Sequence, residues 1–194
     1  MPETGNSFPD WQKGWWQGAR KVASPNCNAR PPETEISLIV LHSISLPPEE
    51  FGGKFVEDFF LNRLDHSAHP YFAQLSGMTV SAHFFIERTG AITQFVSILD
   101  RAWHAGRSSW QGRENCNDYS IGIELEGSEQ QPFDSRQYAA LWPLLTALCE
   151  ICPITAIVGH EHVAPERKTD PGPYFDWHSC RRVLRTAIEE PNCR

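Results

Sequence analysis

The chain has 194 residues, a length typical of one domain. Its 24 acidic and 17 basic residues give a net charge of −7. This balance argues against duplex nucleic acid or an anionic membrane as the main partner, because both need a basic face. The amino terminus lacks a basic start followed by an apolar stretch of signal-peptide length, and the apolar runs are strand-sized, so we expect a soluble cytoplasmic protein.

The first part of the chain is expected to lead into a folded core. Residues 1–35 are rich in Pro, Asn, Gly and Trp and predict an extended lead-in to a core over residues 36–190. The apolar run Ile36–Leu41 is typical of a strand buried on both faces, and His42 follows directly at its end. Phe51–Leu64 then resembles a short amphipathic helix.

The middle of the chain carries alternating apolar and polar residues. Val80–Ile86 and Ala91–Val96 alternate on either side of a Thr-Gly turn and predict a β-hairpin. Ser120–Glu126 alternates strictly and predicts a strand with one polar face. Glu124 and Glu126 share that face, so alternation alone does not choose between them.

A long helix is predicted after this strand. Asp134 or Ser135 caps it, and its pattern reaches about Ile151. Pro143 is expected to kink or break the helix, because proline lacks the backbone N–H that the helix needs.

The last third adds a strand and a helix. Ile154–Val158 is a second short apolar strand, closed by Gly159 and His160, and Asp176 caps a final helix to about Glu190. Strands and helices alternate, which predicts an α/β fold: a single domain with a central mixed β-sheet flanked by helices.

The cysteines show no spacing typical of a disulfide framework. Cys149-x-x-Cys152 has the spacing of a redox or zinc motif, but it lacks a second such pair and a βαβ context. We therefore expect ordinary free thiols.

Three potential metal ligands follow or flank the predicted strands. His42 and His160 each end a strand, and Asp170 lies in a loop rich in Pro and Gly. Two imidazoles and one carboxylate match catalytic zinc sites, where three protein ligands leave a fourth position for water. Spacing alone leaves other candidates open, namely His83, His104, His162 and Cys180.

Several stretches resemble one known family in unbroken order. They are LIVLHSISLPPEEFGG (38–53), DHSAHPYF (65–72), VSAHFFIERTGAITQFV (80–96), RAWHAG (101–106), NDYSIGIELEG (117–127), and APERKTDPGP with FDW (164–177). The chain resembles the cytosolic AmpD-type amidases. These belong to the wider fold family of N-acetylmuramoyl-L-alanine amidases and peptidoglycan recognition proteins.

The resemblance implies a fold of this amidase type and one Zn²⁺ per chain. It places the zinc ligands on His42, His160 and Asp170, where more distant relatives use cysteine as the third ligand. It places the catalytic carboxylate on Glu124 and a lysine that stabilises the transition state on Lys168. Glu124 then moves the proton of the attacking water, and Lys168 stabilises the oxyanion.

Three further residues are candidate substrate contacts. Trp103 is either a wall for the sugar or peptide or a core tryptophan. His104 either contacts substrate or forms a hydrogen bond to one of the metal-binding side chains. Ser43 stands where the family commonly has Asn, and it keeps a donor and an acceptor on a shorter side chain.

The resemblance implies cleavage of the amide bond between 1,6-anhydro-N-acetylmuramic acid and L-alanine in muropeptides during peptidoglycan recycling. This cleavage would lower the muropeptide signal that induces β-lactamase. We expect a monomer. Two alternatives remain at this stage: a non-catalytic module that binds muropeptide, and an exported amidase that acts on intact peptidoglycan.

Overall fold

The computed structural model describes residues 10–189, with the backbone alone for residues 184 and 186–189. Its strands are β1 Trp11–Gln12, β2 Trp15–Trp16, β3 Arg20–Lys21, β4 Cys27–Ala29, β5 Leu38–Ile44, β6 Phe84–Ile86, β7 Ile92–Gln94, β8 Asp100–Ala102, β9 Ser109–Trp110, β10 Arg113–Glu114, β11 Ser120–Glu126 and β12 Ala156–Gly159. Its α-helices are α1 Phe55–Phe60, α2 Ser135–Ile151, α3 His160–Val163 and α4 Trp177–Glu189, and 3-10 helices cover Pro70–Leu75 and Cys116–Asp118.

A six-stranded mixed sheet in the order β12–β5–β11–β6–β7–β3 forms the centre. Strands β12, β5, β11 and β6 are parallel to one another, whereas β6 and β7 pair antiparallel. Helices α2 and α4 pack against each other and contribute to the same core cluster as the sheet. The predicted α/β class, with a central mixed sheet flanked by helices, is confirmed.

The predicted central strands form, with shifted ends. Ser120–Glu126 is a strand with the bounds predicted for it. The strand predicted over Ile36–Leu41 covers Leu38–Ile44 instead, so His42 lies inside it rather than after it. The reason is that pairing with β11 continues through Ile44, beyond the apolar run.

The predicted hairpin and first helix are both shorter than expected. β6 and β7 pair around the turn, in the register Phe85–Thr93. Helix α1 covers only the middle of the predicted Phe51–Leu64, because Gly52 and Gly53 precede it with positive φ and Asn62 follows it at φ 58°.

Helix α2 begins with a capping box, in which Asp134 accepts from the backbone of its first turn and Gln137 accepts from the N–H of Asp134. The helix continues through Pro143, which is exposed, so the proline does not break it. At the final helix, the Ser179 N–H donates to Asp176 Oδ1 at 3.0 Å, as expected for a cap.

The prediction that residues 1–35 are an extended lead-in is wrong for the described part. β3 joins the central sheet beside β7, and β4 pairs with β8. The Arg30 guanidinium donates to four backbone carbonyls, those of Ile98, Asn117, Asp118 and Ser120. The fold therefore begins well before residue 36. These strands are two or three residues long and carry no readable periodicity.

The largest core cluster lies between the central sheet and helices α2 and α4. Ile121, Ile123 and Leu125 extend from one face of β11 and are fully buried. A second cluster contains the buried residues of α1, and Phe60 and Phe72 are almost fully buried in it. Among the helices of residues 10–189, none has the length and apolar character needed to cross a bilayer.

Replacing Ile123 by Ala is expected to lower the free energy of unfolding by about 2–5 kcal/mol, because it leaves a cavity where the side chain is fully buried in the main core cluster. Chemical denaturation measures the change. Thr146→Ala, on the exposed side of α2, is the control and is expected to change it by less than about 0.5 kcal/mol. Equal effects of the two substitutions would contradict this description of the core.

Candidate active site

All eight residues predicted for the site line one cleft with a volume of about 660 Å³. They are His42, Ser43, Trp103, His104, Glu124, His160, Lys168 and Asp170. β5 and β12 are neighbouring parallel strands, so their carboxyl ends lie at the same edge of the sheet. His42 lies near the end of β5, and His160 directly follows β12.

Three polar atoms converge at this edge. The Nδ1 atoms of His42 and His160 are 3.0 Å apart, and each lies 3.1 Å from Oδ2 of Asp170. Both histidines are buried, at 1% and 3% exposure. Among the described residues, this is the one group of three or more His, Cys, Asp or Glu side chains close enough to share a metal ion.

The hydrogen bonds on the far side of each ring fix the position of its proton. His160 Nε2 lies 3.2 Å from the carbonyl of Ala105, which only accepts, so Nε2 carries the proton. Ser120 Oγ donates to the Cys116 carbonyl and therefore accepts from His104 Nε2 at 3.2 Å.

His104 Nδ1 is then an acceptor, and His42 Nε2 donates to it at 2.9 Å. Burial lowers the pKa of His42 to about 4 and that of His104 well below its usual value, so both rings are neutral at pH 7. With the outer Nε2 of each ring donating, Nδ1 of His42 and Nδ1 of His160 face one another.

Gly122 makes room for this arrangement. A Cβ at residue 122 would lie 2.4 Å from Cγ of His104. The ring of His104 therefore rests on the backbone of β11, which brings Nδ1 within reach of His42.

The convergence of these atoms fits a metal ion. Two lone pairs and an ionised carboxylate 3.0–3.1 Å apart repel one another unless a cation lies among them. Zinc bonds of about 2.0–2.1 Å would set tetrahedral ligand atoms roughly 3.3 Å apart, close to the observed spacing. Two imidazole nitrogens and a carboxylate oxygen are a donor set of catalytic zinc.

Glu124 lies beside this group. It pairs with His42 across β11 and β5, so the two side chains leave the sheet on the same face. Its Oε2 is a buried atom with no hydrogen-bond partner among the described residues. Burial, and secondly the charge of Asp170, raise the pKa of Glu124 well above its usual value, while Lys168 acts in the opposite direction.

Glu126 has a different environment from Glu124. Its two carboxylate oxygens accept from the backbone N–H groups of Gly52 and Arg88. It fastens the loop before α1 to the end of β6. Geometry therefore separates two carboxylates that the alternating pattern left equivalent.

Lys168 and Trp103 flank the group from loops. Lys168 is exposed at the cleft, two residues before Asp170. Trp103 is half-buried, and its Nε1 donates to Asn28 Oδ1 at 2.6 Å. It is therefore a wall of the cleft and not a core tryptophan. Ser43 is half-buried at the cleft as well.

The competing ligand candidates have other environments. His83 is buried and accepts from the Gly122 N–H, and His162 accepts from the Gly159 N–H. Burial raises the pKa of the Cys180 thiol to about 12. Burial likewise raises the pKa of Cys149 and of Cys152 to about 11, so these thiols stay protonated at pH 7.

The residues that hold Trp103 and the loop after β8 by hydrogen bonds were not identified from the sequence. Asn28 orients Trp103, and Asn117 and Arg167 bind the backbone of the loop after β8. Asn117 and Arg167 lie inside the quoted motifs, which is the one signal that pointed toward them.

Comparison with known proteins gives a consistent result. A family model described as N-acetylmuramoyl-L-alanine amidase matches residues 32–173. The Haemophilus influenzae protein named 1,6-anhydro-N-acetylmuramyl-L-alanine amidase AmpD is 54% identical over 171 residues, covering 87% of this chain and 93% of that protein. The Escherichia coli K12 protein of the same name is 49% identical over 175 residues, covering 89% and 96%.

Two solved structures are similar as well. A crystal structure of a selenomethionine AmpD derivative has a TM-score of 0.86 and 49% identity, covering 89% of this chain and 97% of that one. The E. coli amidase AmiD, in complex with the substrate anhydro-N-acetylmuramic acid-L-Ala-D-γ-Glu-L-Lys, has a TM-score of 0.58 and 29% identity, covering 80% and 60%.

The raised pKa of Glu124 predicts a pH dependence in metal-free protein. The unfolded chain ionises this group near pH 4.3, whereas the folded chain holds the proton to higher pH. Its stabilising contribution is complete below about pH 4.3 and is lost as pH rises through the folded pKa. Glu124→Gln is expected to remove this part of the fall in the free energy of unfolding with rising pH. Denaturation of chelator-treated protein over a pH series measures it. Identical pH profiles for the two proteins would contradict the assignment.

Proposed function

The chain belongs to the N-acetylmuramoyl-L-alanine amidase family, and we propose that it hydrolyses the amide bond between 1,6-anhydro-N-acetylmuramic acid and L-alanine in muropeptides. We propose further that one Zn²⁺ per chain, held by His42, His160 and Asp170, supports this reaction. The two relatives compared in sequence carry this activity in their names, and they match nearly their full length.

The observation that carries the proposal is the meeting of three ligand atoms with an unpartnered buried carboxylate oxygen. The Nδ1 atoms of His42 and His160 and Oδ2 of Asp170 face one another, and Oε2 of Glu124 lies in the same cleft. A metal-binding group next to a proton acceptor is what metal-assisted hydrolysis requires. A module that only binds muropeptide needs no such acceptor.

The cleft suits a sugar joined to a peptide. Its volume of about 660 Å³ lies within the range of small-molecule sites. Apolar side chains such as Trp103, Tyr71 and Leu75 line it together with polar groups such as Ser128 and Gln130. We expect Trp103 to offer a flat wall to the substrate and Ser43 to contact it beside the first ligand.

A zinc ion held by His42, His160 and Asp170 would supply a Lewis acid that polarises the amide carbonyl and makes a nearby water more acidic. Glu124 takes a proton from the water as the water oxygen bonds to the lactyl carbonyl carbon. The amide C–N bond then breaks, and Glu124 passes the proton to the alanine nitrogen, which leaves as an amine. A carboxyl group whose pKa is raised by burial suits both proton transfers.

Lys168 carries the second proposed role. Its ammonium group stabilises the negative charge that develops on the carbonyl oxygen as water adds. Its position two residues before Asp170, at the surface of the cleft, brings a positive charge to the reacting amide.

The proposed substrate is the soluble anhydro-muropeptide of peptidoglycan recycling, and we expect the enzyme to meet it in the cytosol as a monomer. Its turnover would lower the muropeptide signal that induces β-lactamase. Chromatography of the products from a defined anhydro-muropeptide, with and without a chelator, tests the activity directly. Tight binding without cleavage would favour a recognition module, and faster cleavage of intact sacculi would favour an exported wall amidase.

Substitution of any one ligand by Ala, at His42, His160 or Asp170, is expected to abolish both zinc binding and amide cleavage, because two protein ligands remain. Elemental analysis of dialysed protein measures the metal. His178→Ala, an exposed histidine on α4, is the matched control and keeps both. One full equivalent of zinc in a ligand variant would show that the wrong residue was chosen.

Glu124→Gln is expected to keep zinc and lower kcat by about 10²–10⁴-fold, because the proton acceptor is lost. Lys168→Met is expected to keep zinc and lower kcat by about 10²–10³-fold. Glu114→Gln and Lys54→Met alter exposed residues outside the cleft and serve as controls. Steady-state kinetics on the anhydro-muropeptide measures kcat for each variant. A kcat close to that of the parent in either site variant would remove that residue from the mechanism.

A further inference from the structure

Two consecutive residues of the loop after β8 accept hydrogen bonds from Nε2 of the two ligand imidazoles, the ring nitrogen that faces away from the proposed metal position. His104 Nδ1 accepts from His42 Nε2 at 2.9 Å, and the Ala105 carbonyl accepts from His160 Nε2 at 3.2 Å. Any shift of this two-residue segment therefore changes the outer hydrogen bonds of both rings at once.

Asn117 binds both backbone N–H groups of this segment, while the Arg167 guanidinium donates to the Ala105 carbonyl at 2.7 Å. Asn117 Oδ1 accepts from the backbone N–H of His104 at 3.1 Å and from that of Ala105 at 2.8 Å. A side-chain amide oxygen has two lone pairs, so a single Asn satisfies both donors. Asn117 is itself buried, at 6% exposure.

The backbone around Asn117 is also held by hydrogen bonds. It lies in the 3-10 helix Cys116–Asp118, directly before β11. The Arg30 guanidinium donates to the carbonyls of Asn117 at 3.2 Å and Asp118 at 2.8 Å. The 3-10 helix therefore has little freedom to move relative to the sheet.

We propose that Asn117 is a positioning residue for the amide hydrolysis. Its side-chain carbonyl holds the segment His104–Ala105, and this segment keeps the proton of both ligand imidazoles on Nε2. Nδ1 of each ring thereby faces the metal position before metal arrives. Asn117 touches neither the ligands nor the cleft, and its role rests on the zinc-dependent function proposed above.

Asn117→Leu removes the acceptor at similar volume, and Asn117→Asp keeps an oxygen in its place. Because outer hydrogen bonds orient metal ligands, the Leu variant is expected to bind zinc about 10–100-fold more weakly in competition with a chelator. The Asp variant is expected to bind zinc as the parent does. At saturating zinc, the Leu variant lowers kcat and leaves KM unchanged, since Asn117 does not line the cleft.

A second readout does not depend on activity. The nitrogen NMR shifts of the histidine rings in metal-free protein report which ring nitrogen carries the proton. Asn117→Leu is expected to mix the two tautomers of both His42 and His160. His104→Phe removes the acceptor for one ring and is expected to change His42 alone.

Asn26→Leu is the matched control, because Asn26 is equally buried but bonds the Phe60 and Val80 carbonyls instead. It is expected to lower stability and leave zinc affinity and ring tautomers unchanged. Should Asn117→Leu fail to fold, Asn117→Ser carries the same expectation, since its hydroxyl is too short to reach both amides.

Parent-like zinc affinity and ring shifts in the Leu or Ser variant would overturn the positioning role, whatever the enzyme cleaves. A parent protein that binds zinc but leaves the anhydro-muropeptide intact would overturn the proposed function instead. The two failures are therefore distinguishable.

Discussion

The site depends on three acceptor atoms that repel one another and are nevertheless held 3.0–3.1 Å apart. They lie at the edge of the central sheet where the parallel strands β5 and β12 end. Neighbouring strands β5 and β12 bring the two imidazoles there, and the loop after α3 brings the carboxylate. Such an arrangement is unfavourable by itself. The surrounding fold must hold it against that repulsion, so the rigidity of the sheet is part of the chemistry.

The outer nitrogens of the two imidazoles are oriented by hydrogen bonds that end on backbone carbonyls. The chain His42–His104–Ser120 ends on the Cys116 carbonyl, and His160 ends on the Ala105 carbonyl. Carbonyls only accept, so each chain of hydrogen bonds has one allowed direction. Burial lowers the pKa of His42 and of His104, so these two rings are neutral at pH 7.

The strict alternation of Ser120–Glu126 was enough to predict β11 within its observed bounds, because a half-polar strand imposes a period of two. Residues 11–29 gave no such signal, since their strands are stabilised by pairing with β7 and β8. Periodicity could not distinguish Glu124 from Glu126, because the difference lies in the distant amides of Gly52 and Arg88. His42, His160 and Asp170 are candidates from their place at strand ends and in a loop, and the motifs choose them and the other site residues. The support by Asn28 and Asn117 depends on long-range contacts.

His42 and Asp170 are 128 positions apart in sequence, yet their ligand atoms lie side by side. A shared ion would act as a reversible cross-link that closes nearly two thirds of the polypeptide into a ring, and closing so long a loop limits the unfolded ensemble. Metal occupancy and resistance to unfolding are then coupled quantities. If the ion proposed above occupies the site, its removal would make the chain easier to unfold and therefore easier for a protease to cut.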